Sequence, residues 1–239
     1  MSKIRIYIQP ENISNLIEIK DKGLVHKIRN VLRLKEEDSL YPFDGQGKEY
    51  LYRIKEIARK SVLIKRESLS ESSLSRNRKI ILGFPLTKED KIDFILQKAT
   101  ELGVDGFIPF TCERSLKVKI NDKKLERWRK IISEALRQSE RLWMPLLEEV
   151  SDFQEIVSIG YKVKLIASVK GEKVNSILNS QEEEIFILIG PEGGFSLSEY
   201  SLLKANNFRF LKLSSHILRV ETASIFSVGL INYGDGSLL

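Results

Sequence analysis

Ile185-Phe186-Ile187-Leu188-Ile189-Gly190-Pro191-Glu192-Gly193-Gly194-Phe195 is the stretch on which the reading of this chain turns. An unbroken apolar run, rich in β-branched residues, stops at Gly190, as a strand buried on both faces does when it ends in a tight turn. Pro191 fixes one φ angle, while Gly193 and Gly194 permit positive φ and close approach of a ligand to the backbone. Ser196 with Glu199 three residues on has the form of a capping box, so a helix is predicted to begin there. Strand, glycine turn and helix N-terminus form the place where open α/β sheets hold ligands. The spacing matches neither the dinucleotide pattern G-x-G-x-x-G nor the phosphate loop G-x-x-x-x-G-K-[ST], and a β–α connection that binds nothing fits the same residues.

A second unit of the same kind follows. A predicted strand, Phe208–Leu213, runs into Ser214-Ser215-His216-Ile217-Leu218-Arg219-Val220 and a helix from about Glu221. Two such loops side by side can enclose one small molecule. Upstream, predicted strands at Ile80–Phe84, Phe107–Phe110 and Lys162–Ser168 alternate with helices at Glu89–Leu102, in the basic segment after Lys117, and at Lys170–Ser180. That alternation implies a mainly parallel sheet covered on both faces.

The N-terminal part reads differently. Strands are expected around Ile4–Ile8 and at Leu40–Phe43, Tyr50–Ile57 and Ser61–Lys65, with Asp44-Gly45-Gln46-Gly47 as a hairpin turn. Between them, Lys22–Leu34 has apolar residues near helical spacing and a basic exposed side that includes His26, Arg29 and Arg33. Such a side suits phosphates, and it equally suits a solvated helix face. The serine-rich stretch Ser68–Asn77 lacks apolar periodicity and places a domain boundary: a small β-rich domain at 1–70, a linker at 71–77 and an α/β domain at 78–239.

Composition narrows the function classes. The net charge of +6 favours a polyanionic partner, although ordinary solubility explains it as well. One cysteine excludes an internal disulfide framework, and with two histidines it leaves too few soft ligands for a zinc site. No run reaches the roughly 20 apolar residues of a membrane span. The chain enters strand-like alternation directly, without a signal-peptide pattern. A cytoplasmic protein without metal or membrane partner is expected.

The motifs, taken in order, resemble one family. They are His26, Val31-Leu32-Arg33 and Phe43-Asp44-Gly45; then Gln97-Lys98-Ala99-Thr100-Glu101-Leu102-Gly103-Val104 and Glu113-Arg114-Ser115. Glu134-Ala135 follows with Gln138-Ser139, Arg141 and Pro145, then Gly190–Phe195 with Glu199, and finally Ile217-Leu218-Arg219 with Glu221-Thr222-Ala223. Their ordered conjunction is similar to the RsmE methyltransferases of the SPOUT superfamily, which methylate uridine at N3 in 16S ribosomal RNA.

The resemblance implies an α/β fold: a C-terminal parallel-sheet SPOUT domain tied in a deep trefoil knot, plus a small N-terminal PUA-like RNA-binding β-barrel. A knot of this kind departs from the rule that chains do not thread their own loops. The resemblance also implies a homodimer, S-adenosylmethionine as cofactor, and 16S rRNA or the small ribosomal subunit as partner. Carried over residue by residue, the cofactor would lie against Ala167, Ser168, Ile189, Gly190, Pro191, Glu192, Gly193, Gly194, Leu213, Ser214, Ile217, Leu218, Thr222 and Ala223. Arg219 and Glu192 are the candidates for chemistry, and His26, Arg29, Arg33, Arg114, Gln138 and Arg141 for RNA contacts.

In the last loop Ser214 stands where the family has glycine, His216 where it has arginine and Val220 where it has threonine. Ribose 2′-O methylation of transfer RNA and a non-catalytic RNA-binding relative remain alternatives at this point. A phosphate-binding nucleotide enzyme is disfavoured, since no Walker lysine follows the glycines.

Overall fold

A computed structural model describes residues 3–72, 79–177 and 184–233. The chain packs as two compact units: Met1–Ser75 with Leu136–Met144, and Arg76–Ala135 with Pro145–Leu239. The units are therefore not simply consecutive.

The first unit holds β1 (Arg5–Tyr7), β2 (Leu16–Ile19), α1 (Lys22–His26), β3 (Ser39–Phe43), β4 (Lys48–Ile57) and β5 (Val62–Ser72). Its five strands lie in the order β1-β3-β4-β5-β2, with β1 parallel to β3 and the other pairs antiparallel. Register shifts between β4 and β5 at Glu49/Tyr50, Leu51/Tyr52 and Ile54/Glu56 increase the local twist and curl the sheet. Ile28, Leu40, Tyr52, Ile54 and Ile64 are fully buried inside it.

Three sequence expectations change here. The strand expected over Ser61–Lys65 runs on to Ser72, so Ser68–Ser72 are strand and not linker; the rest of the 71–77 linker lies outside the described residues. Beyond Lys65, β5 pairs with β4 alone, and backbone pairing rather than apolar burial holds the serines there. Strand β2 is additional, its alternation too short to stand out. The helix expected at Lys22–Leu34 is α1 followed by a π-helical turn, Lys27–Val31, with the Leu32 amide donating to the Lys27 carbonyl at 2.8 Å. Asp21 caps α1 by accepting from the Leu24 amide.

A buried charge cluster ties this unit together. The Glu49 carboxylate, with no exposed surface, accepts from Arg5, from Lys3 Nζ at 2.7 Å and from Ser70 Oγ at 3.1 Å. Arg5 also pairs with Glu140 at 2.8 Å, which brings in the returning segment Leu136–Met144. The hairpin receives that segment as well: the Gly47 amide donates to the Leu142 carbonyl, and the Met144 amide to the Gly45 carbonyl. Gly45 has φ +70°, and a Cβ there would lie 3.0 Å from the Met144 and Tyr7 side chains. Only glycine satisfies both conditions.

The second unit contains β6 (Lys79–Pro85), α2 (Glu89–Glu101), β7 (Gly106–Phe110), α3 (Asp122–Ser139, its last turn counted with the first unit), β8 (Leu146–Leu147) and α4 (Phe153–Val157). It continues through β9 (Val163–Ser168), α5 (Val174–Ile177), β10 (Glu184–Leu188), α6 (Leu197–Ala205), β11 (Arg209–Lys212) and α7 (Val220–Tyr233). All pairs of the six-stranded sheet are parallel, in the order β11-β9-β10-β6-β7-β8.

The helix expected over Lys170–Ser180 is reduced to α5 within the described residues. Its expected first turn pairs with the sheet edge instead: the Glu172 amide donates to the Phe210 carbonyl and the Lys212 amide to the Glu172 carbonyl. Residues 178–183 lie outside the described residues.

Strand β10 inserts between β9 and β6, and Ile185, Phe186, Ile187 and Leu188 are fully buried on its two faces. From the edge strand β11 the chain returns to the middle of the sheet, where α7 packs on α2 and β6 and Asn232 Nδ2 donates to the Leu102 carbonyl. This order and return path are the connectivity of the knotted C-terminal domain that the resemblance implies. Among the described residues no helix is long and apolar enough to cross a membrane.

Burial alone would raise the Glu49 carboxyl, but hydrogen bonds from Lys3 and Arg5 outweigh it and hold the group below the usual carboxylate range. Removing one partner of a buried pair leaves the other uncompensated, so Glu49→Ala is expected to cost about 3 kcal/mol in urea unfolding. A depressed folded value contributes stability above the unfolded value and loses it as pH falls through the folded one. The gap between wild type and variant should therefore close on acidification, and a gap independent of pH would refute the assignment.

Candidate active site

Parallel pairing puts the C-terminal ends of β6, β9, β10 and β11 on one side of the sheet. The register sets Leu188 beside Gly83 and Ile166, and Lys212 beside Ser168. Each loop begins on a neighbouring strand: the Ile189 amide donates to the Gly83 carbonyl of β6 at 2.9 Å and the Leu213 amide to the Ser168 carbonyl of β9 at 3.3 Å. Ala167, Ser168, the glycine loop and the Leu213–Arg219 loop are thus brought together.

The glycine loop is anchored from several directions. Its turn closes through the Gly194 amide on the Pro191 carbonyl at 2.8 Å, with Gly194 at φ +67°. Phe195 is buried against Phe110, Phe153 and Tyr200. A Cβ on Gly190 would come within 3.1 Å of the Phe195 ring, which explains glycine there. Ser196 and Glu199 form the expected capping box. The second oxygen of Glu199 accepts the Glu113 amide at 2.8 Å, and Arg114 Nη1 donates to the Gly193 carbonyl at 2.9 Å. The loop after β7 therefore holds the glycine loop at Gly193 and the helix that follows it at Glu199.

The second loop accommodates its unusual residues without strain. Ser214 is not in the left-handed region, and its hydroxyl accepts the His216 amide at 3.0 Å, so a side chain replaces glycine and closes a small turn. Val220 is buried and opens α7, while Arg219 is exposed and its carbonyl accepts the Ala223 amide. Among the described residues the Arg219 side chain makes no ion pair.

Charge links the two loops. Lys91, on the first turn of α2, pairs with Glu192 of the glycine loop and lies 3.7 Å from Glu221 at the start of α7. The hydrogen bond to Glu192 raises the Lys91 ammonium above its ordinary value, and the same bond lowers the Glu192 carboxyl. A carboxylate held below its usual range and paired with a cation is a poor proton acceptor at neutral pH.

The arrangement fits an adenosine-bearing ligand. The amides of Ile217, Leu218 and Arg219 donate to no protein group among the described residues, so acceptors such as adenine ring nitrogens can meet them. Glu221 Oε2 is shut off from solvent, accepts no hydrogen bond and lies 3.7 Å from Lys91 Nζ. Thr222 is exposed and Ala223 buried on the adjoining turn.

The residues expected to contact RNA are distributed. Arg114 is engaged on Gly193 as described. In the first unit, His26 and Arg29 line a cleft of about 600 Å³ together with Lys20, Lys22 and Arg59. Arg33 follows the π-helical turn at φ +52°, and Gln138 and Arg141 fall in the segment packed with that unit. Lys91 and the second bond of Glu199 escaped sequence reading, because both join residues more than 80 positions apart.

The comparisons agree with this geometry. The RNA methyltransferase domain family matches residues 74–232, and the RNA methyltransferase PUA domain family residues 25–65. A ribosomal RNA small subunit methyltransferase E from Rickettsia conorii is 31% identical over 233 residues, which are 95% of this chain and 94% of its own. A Bacillus subtilis protein of that name is also 31% identical, over 87% of each chain.

Among solved structures, a methyltransferase from Legionella pneumophila in complex with S-adenosylmethionine superposes with TM-score 0.89, at 29% identity over 98% of both chains. The small subunit methyltransferase E of Neisseria gonorrhoeae bound to S-adenosylmethionine does so with TM-score 0.86, at 26% identity over 97% of both chains. Fold and matched domains define an RNA methyltransferase of the SPOUT type. The chain belongs to the ribosomal RNA small subunit methyltransferase E family.

Because Glu192 is already ionised and paired, Glu192→Gln is expected to lower kcat/KM without changing the shape of its pH profile between about pH 6 and 9. Loss of an acidic inflection in that variant would restore Glu192 as the base.

Proposed function

We propose that this enzyme transfers a methyl group from S-adenosylmethionine to N3 of one specific uridine in 16S rRNA, on the assembled small subunit in the cytoplasm, and works as a homodimer. The observation that carries the reading is the placement of the glycine loop and the Ile217-Leu218-Arg219 loop on either side of the β9 end, with backbone donors that have no protein partner and an arginine side chain that makes no ion pair among the described residues. The second unit is assigned the chemistry, and the first unit, with its returning segment Leu136–Met144, the RNA grip.

S-adenosylmethionine, when bound, supplies an electrophilic methyl group on a sulfonium. The chain's own task is to hold the uracil in line and to favour the form of N3 that has lost its proton. As that proton leaves, negative charge spreads onto the uracil carbonyl oxygens. The Arg219 guanidinium, exposed at the loop edge, is assigned to stabilise it. The free amides of Ile217 and Leu218 hold the adenine edge, and the Ala167–Ser168 turn closes the third wall. The target base must leave its stack to reach the loops, while His26, Arg29 and Arg33 hold surrounding phosphates, with Gln138 and Arg141 as further RNA contacts.

Small subunits isolated from cells lacking this protein, incubated with labelled S-adenosylmethionine, should gain N3-methyluridine at a single site, identified by nucleoside mass. Arg219→Ala should lower kcat on the order of 100-fold while retaining cofactor binding. A ribose-methylated product would assign a different activity, and neither transfer nor cofactor binding would refute the enzymatic reading for this substrate.

A further inference from the structure

Lys91 stands out among the charged groups that the proposed chemistry does not use. It projects from α2, outside both loops, yet its side chain is only 20% exposed and its ammonium faces one carboxylate from the glycine loop and one from the start of α7. Glu192, 62% exposed, is drawn in from the glycine turn; Glu221, 14% exposed, sits on the first turn of α7. Lys88 and Arg219 act electrostatically on the same group of charges, but neither forms an ion pair there among the described residues.

From this geometry we propose that Lys91 is a positioning residue for methyl transfer. It straps the Gly190–Phe195 loop to the start of α7, sets the gap in which the donor lies, and keeps the Glu192 carboxylate turned away from the reacting atoms. The assignment rests on the functional reading above and deepens it. Without Lys91, Glu192 and Glu221 lose the ammonium that both carboxylates face, and with it the ion pairs that join the glycine turn to the start of α7. An error of about 1 Å in the placement of reacting groups costs on the order of 100-fold in rate, much more than the loss of one exposed ion pair costs in stability.

Three measurements test the strap. Hydrogen exchange on the full chain without ligand should show faster exchange at Gly193, Gly194, Glu221 and Thr222 in Lys91→Met, with other strands and helices unchanged. Binding of S-adenosylmethionine should weaken about tenfold, kcat/KM should fall at least as much, and Lys91→Arg should recover most of both. In Lys91→Met/Glu192→Gln, the loss should not exceed that of the worse single variant.

Unchanged exchange at both loops in Lys91→Met overturns the proposal, as does fully additive loss in the double variant. If Lys91→Met fails to fold, the same exchange and binding measurements on Glu192→Gln and Lys91→Arg decide it: Glu192→Gln must loosen both loops and Lys91→Arg must not. Wild-type protein that binds no S-adenosylmethionine would refute the functional reading instead, and the exchange result would still decide the strap.

Discussion

The site depends on one constraint: β10 is held between β9 and β6 in parallel register, buried on both faces. Because Leu188 lies beside both Gly83 and Ile166, the glycine loop can begin at only one place, level with the ends of its neighbours. Gly83 is part of the same constraint, since a Cβ there would lie 2.7 Å from the Phe186 ring on the adjacent strand. A parallel sheet exposes no free end until its strands stop, and here they stop together. The ends of β10 and β11 then place their loops on either side of the β9 end without any further device.

What the sheet positions, longer-range contacts make rigid. Left to itself, a turn with two consecutive glycines is flexible. In this protein it is clamped by Arg114 on the Gly193 carbonyl, by Glu199 reaching the Glu113 amide, by the Phe195 ring in the core and by Lys91 on Glu192. These partners come from three other parts of the chain, so the loop holds its shape because the whole second unit is folded. Glycine at 190 and 194 serves different ends: room for the Phe195 ring at one, a left-handed backbone at the other.

How legible this was in the sequence follows from the range of each interaction. The strand ending at Leu188, the glycine turn and the capping box of Ser196 and Glu199 are local, and each showed in consecutive residues. The alternation of strands and helices fixed a parallel sheet for the same reason. Ser68–Ser72 misled because a ribbon extended by backbone pairing carries no apolar signature. The start of the Lys170–Ser180 helix misled because tertiary pairing with β11 overrode local preference. The return of Leu136–Met144 to the first unit, through Arg5–Glu140 and the Gly45–Gly47 hairpin, depends on contacts more than 90 positions apart and leaves no periodic trace.

The same distinction separates the two cations at the site. Arg219 was conspicuous because it lies within a motif, whereas Lys91 looked like any exposed lysine on an amphipathic helix. The structure gives them opposite electrostatic states: Lys91 is largely buried and faces two carboxylates, and Arg219 is exposed and makes no ion pair among the described residues. A cation already neutralised by fixed anions has little field left for charge that develops elsewhere, and an unmatched one keeps it. Lys91 therefore faces the carboxylates of the glycine loop and of the start of α7, while the Arg219 side chain makes no ion pair among the described residues. An arginine in that state keeps its field for an anionic group brought to the loop from outside.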